Sequence, residues 1–204
     1  MTVLEGKPLA GCCGLYCGLC PKFQSDAPSR CLSCHLGEQH SYCSVYRCCV
    51  SKRGLFTCAD CHEYPCERLL RVLGVTEGLD SFISHKPALS NLDRIREVGL
   101  DTYLEEQRER RLLVEQLLAD YNEGRSMSFY CAACALMPPG LIRQAIDETE
   151  RTLVDKQLGG SDLKAKAKAM RATIQDLASQ AGTDLRLRKK LKPASRRFGT
   201  CGRL

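Results

Sequence analysis

The sequence has no stretch that approaches the ~20 consecutive apolar residues that a membrane-spanning helix needs. Its N-terminus, MTVLEGKPLAGCC, lacks the basic start and apolar run that mark a secretory signal. The chain also lacks an even number of cysteines, and a total of 15 fits a complete disulfide framework poorly. These absences predict a cytoplasmic protein that makes no membrane contact and keeps its thiols reduced.

Apolar residues are scarce in the first third of the chain, where cysteine takes their place. Twelve of the 15 cysteines lie between residues 12 and 66, and Leu, Ile and Val are few there. Such a segment cannot build a sufficient apolar core by itself, and small cysteine-dense units are normally held by disulfides or by metal. Because a reducing compartment disfavours disulfides, we predict bound metal.

The apolar spacing becomes helical towards the C-terminus. A short helix is expected to start at Pro65-Cys66, and four longer helices follow it. The first of these covers residues 89–98 and ends at Gly99, and the second is capped by Asp101 and ended by Gly124. The third is opened by Pro138-Pro139, and the fourth is capped by Ser161. We predict a mostly α fold, in which a small, irregular, metal-stabilised cysteine-rich part packs on a helical part. The expected divisions are a cysteine-rich segment (11–75), a helical segment of the same domain (85–157), and a basic helix with a flexible tail (161–204).

Cysteine pairs separated by two residues recur four times. This spacing lets a tight turn aim both sulfurs at one ion, about 2.3 Å from zinc. One pair is weak support for a metal site, whereas four pairs with further cysteines nearby indicate bound metal. The predicted metal ligands are Cys13, Cys17, Cys20, Cys31, Cys34, Cys43, Cys48, Cys58, Cys61, Cys66, Cys131 and Cys134.

Within this set, the run from Cys58 to Cys66 predicts a single shared site. Its Cys-x2-Cys-x4-Cys spacing brings three thiols, those of Cys58, Cys61 and Cys66, close together. Cys66 stands at the expected start of a helix, where the helix dipole favours a thiolate.

The first cysteine run, CCGLYCGLC at residues 12–20, is compatible with several chemistries. Read from Cys13, its spacing is that of radical enzymes that use S-adenosylmethionine; read from Cys12, it is that of plant-type ferredoxins. A radical enzyme needs most of a barrel, and the required alternation of strands and helices is missing. CLSCH and CADCH match the c-type haem motif, but that attachment takes place outside the cytoplasm in bacteria and would leave 11 cysteines unexplained. We therefore expect neither a radical enzyme nor a protein that carries c-type haem.

Structural zinc and an iron–sulfur cluster both stay open, because each accepts four thiolates. Ten of the predicted ligands are enough for two zinc sites of four cysteines each, with two thiols left over. Cys131 and Cys134 raise the number of ligands to 12, which is enough for three such sites. Ferredoxin cysteines crowd into one run, whereas these are spread over separate knuckles. We favour two or three Zn2+ ions, with a [4Fe-4S] cluster as the alternative.

Several segments of the first 150 residues match the pattern of a known family. They are CGLYCGLCP, the Cys31 and Cys34 pair, CSVYRC, KRGLFTCADCHEYPCE and SNLDRIREVGLDTYLEEQRER. Together they resemble the cysteine-rich domain-of-unknown-function family 3795, found mainly in bacteria and archaea. The resemblance implies metal binding, usually supposed to involve zinc, and no established activity. Cys12, Cys49 and Cys201 lie outside the pattern, so they are left out of the ligand set.

Charge is distributed unevenly, and the basic end raises the question of a partner. Residues 161–204 hold 12 Lys and Arg against three Asp, whereas the first 160 residues carry a net charge of −3. A nucleic acid could bind this tail through its phosphates, although we expect a solvated end.

Catalysis has little support, because His62 and Glu63 are typical of solvated loops. We predict a non-catalytic metal-binding module that serves a macromolecular partner, with an iron–sulfur redox protein as the alternative.

Overall fold

The computed structural model describes residues 9–75, 85–155 and 162–186. Within these ranges the chain is mostly helical and has no β-strand, which confirms the predicted fold class. The basic tail after residue 186, including Cys201, lies outside the described residues. The α-helices of the described part are α1 (Pro21–Gln24), α2 (Ser44–Tyr46), α3 (Glu67–Val72), α4 (Ala88–Val98), α5 (Leu100–Tyr121), α6 (Met127–Leu136), α7 (Pro139–Asp155) and α8 (Leu163–Gln180).

Helix α5 is the central element of the helical part. Its 22 residues are rich in Leu, Glu, Arg and Gln, which are good helix formers. Helices α4, α6, α7 and α8 all pack against it. Val114 and Leu117 are completely buried along its length, so this helix carries much of the apolar core. No helix of the described ranges is long and apolar enough to cross a membrane.

Most predicted helix boundaries agree with the structure, and the start of α5 does not. Helix α4 ends before Gly99, as predicted, where φ is +82°. Helix α5 begins at once at Leu100 with Gly99 as its N-cap, so the predicted cap at Asp101 is wrong. Asp101 lies in the first turn instead, where its negative charge suits the helix dipole. The left-handed glycine allows a sharp break between two helices without an intervening loop.

The later helices keep the predicted order with one difference at α8. Helix α7 begins at Pro139, in agreement with the Pro138-Pro139 signal. Helix α8 is capped by Asp162, whose carboxylate accepts a hydrogen bond from the Ala165 amide at 3.0 Å. The predicted cap, Ser161, lies outside the described residues.

Helix α6 was not predicted, because its sequence carries no helical period. MSFYCAACAL is apolar almost throughout, so no polar face alternates with an apolar stripe. The helix is deeply buried, and the Tyr130 hydroxyl donates a hydrogen bond to the carbonyl of Tyr121 at 3.0 Å. A short helix of this kind forms because its neighbours bury it on several sides.

The cysteine-rich part shares its core with the helices. Buried side chains of both parts form one continuous apolar cluster. At the junction the Tyr16 ring meets Tyr103 of α5 edge-on, with ring centroids 6.3 Å apart. The scarcity of apolar residues in the cysteine-rich part is thus partly offset by packing on α4, α5 and α6.

Helix α4 is the main polar anchor for the cysteine-rich part. The Asn91 amide donates to the carbonyl of Gly14 at 2.8 Å, and the Arg96 guanidinium donates to the carbonyl of Ala59 at 2.9 Å. These bonds tie two separate cysteine turns to the same helix. Movement of α4 would therefore disturb both turns.

Replacement of Gly14 by alanine is expected to break this anchor. A Cβ there would lie 2.2 Å from the carbonyl oxygen of Ala88 and 2.7 Å from Leu92 Cγ, and φ is already +86°. We expect Gly14→Ala to lower the free energy of unfolding by roughly 3 kcal/mol or more, because both backbone strain and overlap oppose it. Chemical denaturation followed by circular dichroism measures this loss.

The matched control is Gly124→Ala. Gly124 has a φ of +92°, and an added Cβ there would meet no other atom within 4 Å. The Gly124→Ala variant therefore measures the cost of backbone strain without the cost of overlap. That variant should lose only about 1 kcal/mol. Equal losses in the two variants would show that the contact between the first cysteine turn and α4 contributes little.

Candidate metal centre

Two of the Cys-x2-Cys pairs form single 3-10 turns. In the first, the Cys20 amide donates to the carbonyl of Cys17 at 2.9 Å; in the second, the Cys61 amide donates to that of Cys58 at 3.2 Å. The second turn is further fixed by a capping box between Thr57 and Asp60. Each turn holds its two cysteines at a short, fixed separation, which is the local geometry that metal knuckles need.

The pair Cys31 and Cys34 is held by a strained residue and by bonds to sulfur. Ser33 is completely buried and has φ of +84°, an uncommon conformation for a residue with a side chain. Its amide donates to the Cys31 sulfur at 3.4 Å, and the Cys12 amide donates to the Cys34 sulfur at 3.4 Å. Backbone donors aimed at sulfur stabilise a thiolate, which gives this strained turn a chemical role.

The fourth pair lies on a helix instead of a turn. Cys131 and Cys134 are one helical turn apart on α6, and each is 1% exposed. Burial raises the pKa of both thiols, that of Cys134 to about 12. Helix α6 packs against the Cys17–Leu19 turn and against α1, and Cys20 between them also raises the pKa of Cys131.

Four predicted ligands line one cavity next to α3. Cys48, Cys58, Cys61 and Cys66 all face it, and Cys66 is the N-cap of α3, as predicted. The structure therefore places Cys48 beside the run of Cys58, Cys61 and Cys66. The sharing of one ion by Cys58, Cys61 and Cys66 stays a prediction.

Arg53 supplies positive charge to this cavity. Its guanidinium donates to the Cys61 sulfur at 3.5 Å. The same side chain forms an ion pair with Glu63 at 2.6 Å, which lowers the pKa of that carboxyl. A fixed guanidinium offsets the negative charge that several thiolates would create.

His62 and Glu63 have the surroundings of solvated loop residues. The His62 side chain is 80% exposed, and its Nε2 atom lies 3.6 Å from a Glu63 carboxylate oxygen. Because Glu63 is already engaged by Arg53, these two residues form no enclosed acid–base pair.

Two cysteines that sequence reasoning left out lie in the core, where Cys12 is 2% exposed and Cys49 is 3% exposed. The Cys12 amide donates to the Cys34 sulfur at 3.4 Å, and the Cys49 thiol donates to the carbonyl of Leu55 at 3.6 Å. Interaction with neighbouring thiols, followed by burial, raises the pKa of Cys12 and of Cys58, and the interaction with Cys12 lowers the pKa of Cys34. The doublets Cys12-Cys13 and Cys48-Cys49 were the available sequence signal for this arrangement.

Other predicted ligands of the first cysteine run are removed from water. Burial raises the pKa of the Cys13 thiol to about 12 and raises that of Cys17 well above its usual value. The Cys31 sulfur is 3.1 Å from His40 Nε2. All 14 cysteines of the described ranges are free thiols. Among these residues, however, no three Cys, His, Asp or Glu side chains already converge as a metal site.

Comparison with known proteins assigns the chain to no family and gives it no function. No family model, curated protein or solved structure matches the chain. The resemblance to family 3795 therefore stays a prediction, and so does what it implies about zinc.

Alkylation of the metal-free, reduced protein should separate the buried thiols from the accessible ones. We expect Cys61 and Cys66 to react early and Cys131 and Cys134 to resist until the protein unfolds, because burial excludes the reagent and keeps the latter pair protonated. Mass spectrometry of peptides after timed labelling measures the order. Labelling of Cys131 as fast as that of Cys66 would show that α6 is not packed as described.

Proposed function

We propose that this protein is a metal-binding module whose cysteine thiolates hold zinc ions. The observation that carries the proposal is the cavity lined by Cys48, Cys58, Cys61 and Cys66. Four cysteines are a complete ligand set for structural zinc. Arg53 lines the same cavity and donates a hydrogen bond to the Cys61 sulfur at 3.5 Å.

An iron–sulfur cluster competes with zinc at this site, because both accept four thiolates. We favour zinc because the cysteines of this chain are spread over separate turns, whereas ferredoxin cysteines crowd into one run. Iron–sulfur chemistry is the competing outcome of the experiment below.

Zinc in such a site has a structural role. A catalytic zinc keeps one position open for water, whereas a site of four cysteines is closed. In a segment with few apolar residues, the free energy of zinc binding becomes free energy of folding. The metal-stabilised turns, anchored on α4, would then present a fixed surface to a macromolecular partner in a reducing compartment such as the cytoplasm.

Metal analysis of protein purified without oxygen tests the identity of the metal. A colourless protein that holds zinc supports the proposal, and cobalt substitution should give the intense sulfur-to-metal charge-transfer bands of tetrahedral thiolate ligation. A brown protein with iron and acid-labile sulfide would replace it with the iron–sulfur function. A folded protein without any bound metal would end both.

Removal of one predicted ligand should remove one ion. Cys66→Ser should lower the bound zinc by about one ion per chain, because a closed site that loses a thiolate binds zinc far more weakly. Cys201→Ser is the control, since Cys201 is outside the predicted ligand set. Elemental analysis against protein concentration measures both, and an unchanged zinc content in Cys66→Ser would refute the shared site.

Arg53 should strengthen zinc binding without being a ligand. Arg53→Gln is expected to weaken binding at this cavity by about 10- to 100-fold, because hydrogen-bonding partners of ligands orient them and offset their charge. Arg68→Gln is the matched control, since Arg68 lines the same cavity and no bond from it to sulfur is observed within the described residues. Competition with a coloured chelator gives both affinities. Equal affinities would show that Arg53 acts only through Glu63.

A further inference from the structure

We infer that one face of helix α8 binds the phosphate backbone of a nucleic acid through Lys164, Lys168 and Arg171. This inference goes beyond the proposed function, because it assigns a partner to a surface that contains no cysteine and needs no metal. The three side chains recur at intervals of four and three residues, so they lie in one line along the helix. We call this line the basic stripe.

The acidic residues of α8 are kept away from the basic stripe. At about 100° per residue, the three cations lie within about 60° of one another around the helix axis. Asp176 lies about 110° from the centre of the stripe, and Asp162 precedes the first turn, where it caps the helix. The helix itself therefore leaves the positive charge of the stripe uncompensated.

The basic stripe is open to solvent, and its lysines have no acidic partner in the described part of the chain. Lys164, Lys168 and Arg171 are all exposed. Arg171 lies 3.8 Å from a Glu123 carboxylate oxygen, and its side chain is still 52% exposed. A long polyanion can therefore reach all three cations from one side.

Exposed arginines on other helices have different surroundings. Arg71 of α3 pairs with Glu67 at 2.6 Å, and Arg143 of α7 pairs with Glu109 of α5. Members of such pairs neutralise each other and leave little charge for a partner. The basic stripe differs because its cations are collected on one face and its two lysines keep their full charge.

The dimensions of the stripe fit a phosphate backbone. Lys164 and Arg171 are about 10 Å apart along the axis of α8, and each strand of duplex DNA carries one phosphate per ~3.4 Å of its axis. The three cations therefore match about three phosphates of one strand. A lipid surface fits less well, because a helix that lies on a membrane needs large apolar side chains beside its cations. Leu163, an exposed apolar residue of α8, lies about 100° from the stripe.

The end of α8 fixes the point at which the basic tail begins. The Lys86 ammonium group donates to the carbonyls of Asp184 and Arg186, at 3.2 Å and 2.7 Å. The chain is thus held against the residue before α4 up to Arg186. Residues 187–204 follow with seven Lys or Arg and no acid, so the tail adds positive charge next to the helix that carries the stripe. The fields of both would attract the same polyanion.

Binding of the full-length protein to a labelled oligonucleotide of mixed sequence tests the inference. Fluorescence anisotropy at several salt concentrations gives the affinity and its salt dependence, for single-stranded and for duplex DNA. The triple variant Lys164→Gln, Lys168→Gln, Arg171→Gln should bind at least about 10-fold more weakly than the wild type. On duplex DNA its log–log slope of affinity against salt should be shallower by up to about 0.9 for each of the three contacts.

The matched control removes the same charge from paired arginines on other helices. The triple variant Arg71→Gln, Arg108→Gln, Arg143→Gln has the same net charge as the stripe variant, and each of these arginines is paired with a glutamate. It should bind more tightly than the stripe variant, with a salt slope close to that of the wild type. Glutamine is a good helix former at exposed positions, and circular dichroism checks that both variants fold. If the stripe variant does not fold, Lys168→Gln alone should make the slope shallower by about 0.9.

Three results would overturn the inference. They are a wild type that binds neither form of DNA at low salt, a stripe variant that binds as tightly as the control variant, and binding to vesicles that contain phosphatidylserine without binding to the oligonucleotide. Zinc content separates this inference from the proposed function, because the stripe variant should hold as many zinc ions as the wild type. A wild type that binds DNA and holds no metal would leave the stripe in place and end the zinc proposal.

Discussion

Crowding of thiols in place of an apolar core is the constraint on which the rest of the structure depends. A thiol packs as a small apolar group while it keeps its proton, but adjacent thiolates repel each other and cannot all be charged in a buried space. In the core, neighbouring thiols and burial raise the pKa of Cys12 and of Cys58. Only a cation can accept several thiolates at once, which is why so dense a cluster favours metal.

The surrounding protein already compensates part of this charge. Arg53 donates to the Cys61 sulfur next to α3, and the amides of Cys12 and Ser33 donate to the sulfurs of Cys34 and Cys31. These donors come from different segments, so they depend on the turns being held together. Helix α4 provides that restraint through Asn91 and Arg96. Charge compensation and anchoring are thus parts of one arrangement.

The sequence was sufficient for features that depend on short-range chemistry. Gly99 as the end of α4, Pro139 as the start of α7 and Cys66 at the start of α3 all follow from local preferences of the backbone. Helix α6 could not be found in this way, because a helix that is buried on several sides shows no periodic pattern. Its existence depends on packing against neighbours that are distant in sequence.

The same distinction applies to the cysteines. Spacing grouped Cys58, Cys61 and Cys66, which do line one cavity, because a local run keeps its members together. Spacing gave no sign that Cys12 and Cys49 are buried, since the core that encloses them joins segments that only the fold brings together.

Adjacent cysteines in an irregular segment can also have different surroundings. Cys12 is 2% exposed and its carbonyl accepts a hydrogen bond from the Cys58 amide at 2.8 Å, whereas Cys13 is only partly buried. Cys49 is 3% exposed and its carbonyl accepts a hydrogen bond from the Leu55 amide at 3.0 Å, whereas Cys48 lines the cavity next to α3. The interval between two cysteines does not reveal which of them enters the core, because one core spans the cysteine turns and the helices and the fold determines which member of each doublet it encloses.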